Sequence, residues 1–302
     1  MKIFNLALQI MLTLGLIFSK PIIANEKSDH NFYVYNTTFE YSAFSEYAIV
    51  LNRETKKIKY EKNSNDKAYP ASLTKMMTAI VAIEQIEDVE AIAPIDAESY
   101  YKLVSKNSSM AGFYINEKAT FIDLLYGTLL SSGGEAANSL AVNVAGSVEQ
   151  FVKIMNDKAK ELNMLNTNFT NAEGLDDPDQ YTTANDMALL LDYALDNVIF
   201  KKIITTLNYQ TSETVQHPEG IPLESTVLSR IVDYNNDKFS LIGGKSGSTL
   251  GAGFNWAILG IRNDVEYISI VMGSFPEFFD RYDTKHIEDT INMFELIDES
   301  ND

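Results

Sequence analysis

Ser72-Leu73-Thr74-Lys75 sets a hydroxyl and an amine three residues apart. On a helix such residues share a face, so the amine can reach the hydroxyl. A serine hydroxyl is a poor nucleophile until a neighbouring base takes its proton. Lysine serves as that base only where desolvation and nearby positive charge lower its pKa. A helix N-terminus adds positive potential and free backbone N–H groups that stabilise a developing oxyanion. Taken alone the tetrad is common, and a capping serine beside a surface lysine is its ordinary meaning. Lys245-Ser246-Gly247-Ser248 is a second candidate. On a strand edge its ammonium and hydroxyl make a carboxylate receptor, and its glycine admits a peptide backbone. Ser131-Ser132-Gly133-Gly134-Glu135-Ala136-Ala137-Asn138 is a third. A hydroxyl there can relay a proton to a leaving amine; otherwise the stretch is only a glycine break between helices.

The elements around these residues can be placed from pattern. Tyr47 to Asn52, the turn Arg53-Glu54-Thr55, and Lys57 to Lys62 suggest a β-hairpin. Pro70-Ala71 opens an apolar stretch from Met76 to Ile86 with helical spacing, so Ser72 falls at a helix start. Thr120 to Asp123, Ser147 to Gln150 and Thr183 to Asp186 have the form of capping boxes. They precede helices over Leu124 to Leu130, to about Leu162, and over Met187 to Leu195. Leu241 to Thr249, Phe254 to Arg262 and Val265 to Met272 are rich in Ile, Val, Phe and Tyr, and Arg262-Asn263-Asp264 suits a hairpin turn. Thr284 to Leu296 reads as a closing amphipathic helix. The expected fold class is α/β of the α+β kind: an antiparallel sheet built from both parts of the chain, flanked by helices, with a helical subdomain inserted at about 96–200.

The chain has 302 residues, 45% hydrophobic and 22% charged, with no cysteine. That is enough to bury a core without staples, and it excludes disulfides, thiolate metal sites and a cysteine nucleophile. Met1-Lys2, the apolar run Ile3 to Phe18, and Ile22-Ile23-Ala24 have the layout of a secretory signal peptide over 1–24. Whether it is cleaved or kept as the only membrane tether, the rest is expected outside the cytoplasm, in the extracellular or cell-wall space. Residues 25–41 read as a loose lead-in and 42–302 as the catalytic domain. No later segment has the length and apolarity to span a bilayer. The net charge is −18; without residues 1–24, which carry two lysines and no acids, 22 basic residues face 42 acidic ones. Such an acidic chain argues against nucleic acid and anionic lipid as partners. His30, His217 and His286 are scattered and give no metal-ligand spacing, so neither metal nor cofactor is expected. No Gly-x-Ser-x-Gly frames a serine, so a Ser-His-Asp hydrolase is poorly supported. Tyr100, Tyr101 and Tyr114 are read as core before cleft, and the acidic tail Glu295 to Asp302 as a solvated helix end.

The order and spacing of the three motifs resemble the penicillin-recognising serine enzymes. Tyr69-Pro-Ala-Ser-Leu-Thr-Lys-Met-Met-Thr78 is similar to the nucleophile helix of the D-alanyl-D-alanine carboxypeptidases. Phe169 to Pro178 and Tyr181 to Ala188 resemble that family's mid-chain segment, and the likeness runs from about Tyr47 to about Gly273. The resemblance implies a β-lactamase/transpeptidase-like fold and removal of the terminal D-alanine from peptidoglycan stem peptides ending in D-Ala-D-Ala. It implies that Ser72 forms the acyl-enzyme, Lys75 takes its proton and Ser132 shuttles a proton to the departing D-alanine. Lys245 and Ser246 would hold the terminal carboxylate, with Gly247 admitting the peptide. The backbone N–H groups of Ser72 and Ser248 would form the oxyanion hole, and β-lactams would be covalent inhibitors.

Two positions depart from the family pattern. Gly134 stands where the family usually has Asn, and Asn138 cannot be assumed to replace that amide. Glu173 stands where the family usually has the His of His-Gly-Leu, and is read as a structural change. Two alternatives stay open. A degenerate wall-peptide or penicillin-binding module would keep the receptor and lose turnover, although an intact Ser72 and Lys75 argue against it. A β-lactamase needs a deacylating base, commonly in Glu-x-x-x-Asn spacing, which neither Glu161-Leu-Asn nor Glu173-Gly-Leu provides.

Overall fold

Strands from both parts of the chain meet in one antiparallel sheet. The computed structural model describes residues 41–231, 234, 236–275 and 283–297. The expectations for 1–24, for nearly all of 25–41, for His30 and for the last residues of the acidic tail therefore fall outside the described residues. Strands β1 (Tyr47–Asn52) and β2 (Ile58–Lys62) form the first hairpin. A second pair of short strands, β3 (Ile92–Pro94) and β4 (Lys118–Thr120), and a third, β5 (Asn208–Gln210) and β6 (Pro222–Glu224), make two-stranded sheets of their own. The meander is β7 (Phe239–Thr249), β8 (Gly253–Arg262) and β9 (Val265–Ser274). The main sheet runs β2-β1-β9-β8-β7, so β1 pairs with β9, Tyr47 opposite Met272 and Asn52 opposite Tyr267.

Local chemistry explains the pieces. Asn263 and Asp264 have φ of +47° and +63° and join Arg262 to its partner Val265. Two left-handed residues match the twist of a two-residue hairpin, and Asn and Asp tolerate that conformation best after glycine. A 3₁₀ turn at Ala71–Leu73 leads into helix α1 (Thr74–Gln85), in which every residue from Thr74 to Ile83 is buried. A helix apolar on all sides belongs at the centre of a fold. Its neighbours include α3 (Phe121–Leu129), α4 (Gly134–Ala145), α5 (Val148–Glu161) and α6 (Ala184–Ala194), in chain order after α2 (Ala97–Ser105). The Thr120, Ser147 and Thr183 side chains accept from the backbone N–H three residues on, as the pattern predicts, and Thr120 with Asp123 completes the reciprocal box. Helices α7 (Val198–Ile204), α8 (Leu228–Ile231) and α9 (Lys285–Glu295) follow, α9 close to the predicted span. Among the described residues no helix is long and apolar enough to cross a membrane.

Some elements escape the pattern. The three-residue strands carry no alternation to detect. Helix α2 is capped by Asp96, whose carboxylate accepts from Ser99 N–H. Tyr101 and Tyr114 are more than half exposed, against their expected place in the core. Tyr114 instead stacks on His217, which pairs through Nδ1 with the buried Glu117.

Candidate active site

Ser72, Lys75, Ser132, Ser246, Gly247 and Ser248 all border one cleft of about 750 Å³. Ser72 comes from the 3₁₀ turn, Lys75 from α1, Ser132 from the link between α3 and α4, and Ser246 to Ser248 from β7. Ser72 sits in the turn before α1, directly after Ala71, whose φ is +48°. A non-glycine residue holds that conformation only where its surroundings over-determine it. Here they do: Asn255 of β8 donates its side-chain amide to Tyr69 O (2.8 Å) and Pro70 O (3.0 Å). On the other side Gly174 lies so close that a Cβ on it would stand 2.0 Å from Ala71 O. Gly247 of β7 meets the same turn, where a Cβ would come 2.9 Å from Ser72 N and 3.1 Å from Leu73 N. The glycine therefore lets the strand approach the nucleophile turn, a closer neighbour than the substrate backbone that sequence suggested.

The Lys75 ammonium donates to Ser72 Oγ (3.0 Å) and to the backbone carbonyl of Glu173 (2.6 Å). Its side chain is buried, and that desolvation lowers its pKa to about 8 against the pull of Glu173 and Glu135. A lysine so placed is neutral in a useful fraction near neutral pH and can accept the serine proton.

Ser132 carries the second strained backbone, φ +60°. Ser109 Oγ donates to its carbonyl (2.6 Å), and Lys245 Nζ donates to its hydroxyl (2.9 Å). Lys245 is fully buried and does not border the cleft. Burial first, and the charge of Lys75 second, hold its pKa well below the ordinary lysine value. Its effect on a bound anion therefore passes through Ser132 and through the field, while Ser246, in the cleft wall and bonded to Thr226 Oγ1 at 2.7 Å, offers the direct hydroxyl. Gly134 starts α4 and lies outside the cleft wall. A Cβ there would stand 2.5 Å from Ser108 Oγ and 3.3 Å from Leu103 Cδ2, so the loop 106–109 occupies the room an asparagine would use. Asn138 is buried on α4 and does not border the cleft.

Four cleft residues were not marked for this role by sequence. Arg230 donates towards His286 Nε2 (3.2 Å) and lies over the Trp256 ring. His286 is buried against Phe254, and desolvation, then Arg230, lower its pKa to about 3, so it is neutral. Thr226 holds Ser246. Glu173, read from sequence as a structural change, stands in the cleft wall beside Ser72. These residues come from segments that no spacing rule connects to the motifs.

A hydroxyl activated by a desolvated lysine, with a second hydroxyl–lysine pair across the cleft, is an arrangement for acyl transfer through a serine ester. The family model for D-alanyl-D-alanine carboxypeptidase matches residues 35–276, and the chain belongs to that family. Among curated relatives it is 31% identical over 233 residues to D-alanyl-D-alanine carboxypeptidase DacC of Escherichia coli, covering 75% of this chain and 56% of the relative. It is 37% identical over 147 residues to D-alanyl-D-alanine carboxypeptidase DacF of Bacillus subtilis, covering 47% and 37%. The chain thus spans about half the length of the curated relatives it matches. Among solved structures, the Streptomyces K15 DD-transpeptidase superposes with a TM-score of 0.76 at 24% identity, covering 85% of this chain and 98% of that one. Penicillin-binding protein 5 from Haemophilus influenzae gives 0.72 at 26%, covering 85% and 71%. The expected α+β fold with its antiparallel sheet is the observed one.

Proposed function

We propose that the protein is a serine DD-carboxypeptidase that removes the terminal D-alanine from peptidoglycan stem peptides through an ester on Ser72. The observation that carries this is the 3.0 Å contact between a buried, neutralisable Lys75 and Ser72 Oγ, inside a cleft shared with Ser132 and Ser246. Lys75 takes the Ser72 proton as Oγ adds to the scissile carbonyl. Backbone N–H groups of Ser72 and Ser248 face the developing oxyanion. Ser132, held by Lys245, relays that proton from Lys75 to the departing D-alanine amine, and Ser246 with the Lys245 charge receives the terminal carboxylate. Arg230, which also borders the cleft, adds a second cation for that carboxylate. β-Lactams would acylate Ser72 by the same steps. Substrates of this kind fit an exported protein, with 1–24 as the export signal and residues 42–302 as the catalytic domain.

The test is to incubate the purified protein with benzylpenicillin and follow its intact mass beside a Ser72→Ala variant, while assaying D-alanine release from an acylated Lys-D-Ala-D-Ala peptide. The expected result is a penicilloyl adduct and D-alanine release from the native protein only. Absence of any adduct would remove the acyl-enzyme and leave the non-catalytic module. An adduct without D-alanine release would leave a penicillin-binding module that does not turn over.

A further inference from the structure

We propose that Glu173 is the general base that activates water to hydrolyse the Ser72 acyl-enzyme. The inference rests on the acyl-enzyme reading above and deepens it, assigning a residue to the second half of the reaction.

Three acidic side chains lie in or near the cleft, and their surroundings separate them. Asp176 borders the cleft, but both its oxygens are occupied, Oδ1 by Thr249 Oγ1 at 2.5 Å and Oδ2 by Gly251 N–H at 3.0 Å. Glu135 also has an unpartnered buried Oε2, but it lies behind the cleft wall, and its Oε1 accepts from the N–H groups of Ala111, Gly112 and Phe113. Glu173 borders the cleft next to Ser72 and Lys75, is only 8% exposed, and its Oε2 is buried with no hydrogen-bond partner. A buried carboxylate oxygen left without a donor carries an unrecovered desolvation cost, and such a group calls for an explanation. That oxygen is sealed from the cleft, so the water on which the base acts would meet the carboxylate at Oε1, which is not closed off in this way.

The segment bearing Glu173 is fixed to the nucleophile. Its own carbonyl accepts from Lys75 Nζ, and Ala172 O accepts from Thr78 Oγ1 at 2.6 Å, both donors on α1. Asn171 Oδ1 accepts from Gly174 N–H at 2.7 Å, and its amide donates to Leu175 O at 3.0 Å. Gly174, with φ +89°, packs its α-carbon against Ala71 O. The backbone that carries Glu173 and the nucleophile turn therefore belong to one unit, which keeps the side chain within reach of a water beside the ester. Desolvation raises the Glu173 pKa above the ordinary carboxylate value, while Lys75 and, further down, Lys106 pull it back. The upward shift makes it a stronger base.

The step balances as follows. Glu173 takes a proton from water while the water oxygen bonds to the acyl carbonyl carbon. The tetrahedral oxyanion collapses, breaking the bond to Ser72 Oγ. The proton held by Glu173 returns to Oγ through Lys75, neutral since the leaving amine took its proton. One water is consumed, and a free carboxylic acid and Ser72 hydroxyl result.

The experiment separates the two half-reactions. Benzylpenicillin acylation is followed by the growth of the penicilloyl mass, and release by its decay after excess drug is removed. Both are measured from pH 5 to 9 on the native protein, Glu173→Gln and Glu173→Asp. The expected result for Glu173→Gln is release slowed at least tenfold, acylation within threefold of native, and loss of the acid limb of the release profile. Glu173→Asp keeps the charge and shortens the reach; slower release with preserved acylation is expected there too, and decides the matter if the glutamine variant does not fold. Release at the native rate, or acylation and release falling together, overturns the proposal while the Ser72 reading stands. No adduct on the native protein overturns both.

Discussion

Two lysines share one small volume, and their different partners divide the work between them. Lys75 reaches Ser72, and its pKa is lowered to about 8; from the ordinary value of 10.5 this removes about 3 kcal/mol of preference for the ammonium form. The sign follows from which form acts: the neutral amine accepts the proton. Acylation by benzylpenicillin should therefore rise about tenfold per pH unit below pH 8 and level off above it, as read from the rate of adduct formation. Lys245 reaches Ser132 instead, at 2.9 Å. Ser132→Ala should lower D-alanine release by about 10²-fold or more, the size of a lost proton-transfer partner, with the melting temperature little changed. The pairing of Ser72 with Lys75 was legible because a three-residue spacing at a helix start brings both to one face, here across the 3₁₀ turn that leads into α1. Arg230 and His286 were not, because their nearness to the cleft is made by tertiary packing and their local sequence has no distinguishing spacing; Glu173 was visible as a departure from the family pattern, but its place in the cleft wall was not. Gly134 was legible as a departure, but its reason, the Ser108 hydroxyl in the space of the missing side chain, needed coordinates.

At the scale of elements, β7 borders the cleft and also supports the Ser72 turn. Gly247 lies opposite Asn255 in the β7–β8 ladder, and Asn255 holds the carbonyls of Tyr69 and Pro70. Strand and turn are thus registered against each other from two adjacent strands. Gly247→Ala would push a methyl against Ser72 N and Leu73 N. The expected outcome is a fall of about 10²-fold in kcat/KM, as for a displacement of about 1 Å. The change in unfolding free energy should be far smaller than that activity loss suggests, checked by denaturant titration of the same sample. The long strands and capped helices could be read from sequence because β-branched runs and Thr or Ser caps are local signals. The paired three-residue strands and α7, which Asn197 caps through Ile199 and Phe200 N–H, were hidden by their brevity.

Over the whole molecule, distant parts of the chain are tied to each other as well as to the sheet. Asp289, near the middle of α9, accepts from Phe44 N–H, Ser45 N–H and Ser45 Oγ at 2.6–2.8 Å, the two bonds from Ser45 buried and the one from Phe44 partly so. Asp289→Ala strands those donors; a cost of about 2–3 kcal/mol is expected. It should appear as roughly 2–4 °C of melting temperature for each kcal/mol, with the cleft chemistry unaltered. The α+β class was legible from the order of elements, since strands at both extremes of the pattern have only each other to pair with. That same pairing of β1 with β9 has a consequence in time. Tyr47 must wait for Met272, and the Ser72 turn must wait for Gly247, before either has its neighbour. Contacts so far apart in sequence form late. A chain still being made is therefore chemically silent: it carries its serine and lysine from early on, yet has no cleft until the last strands are delivered.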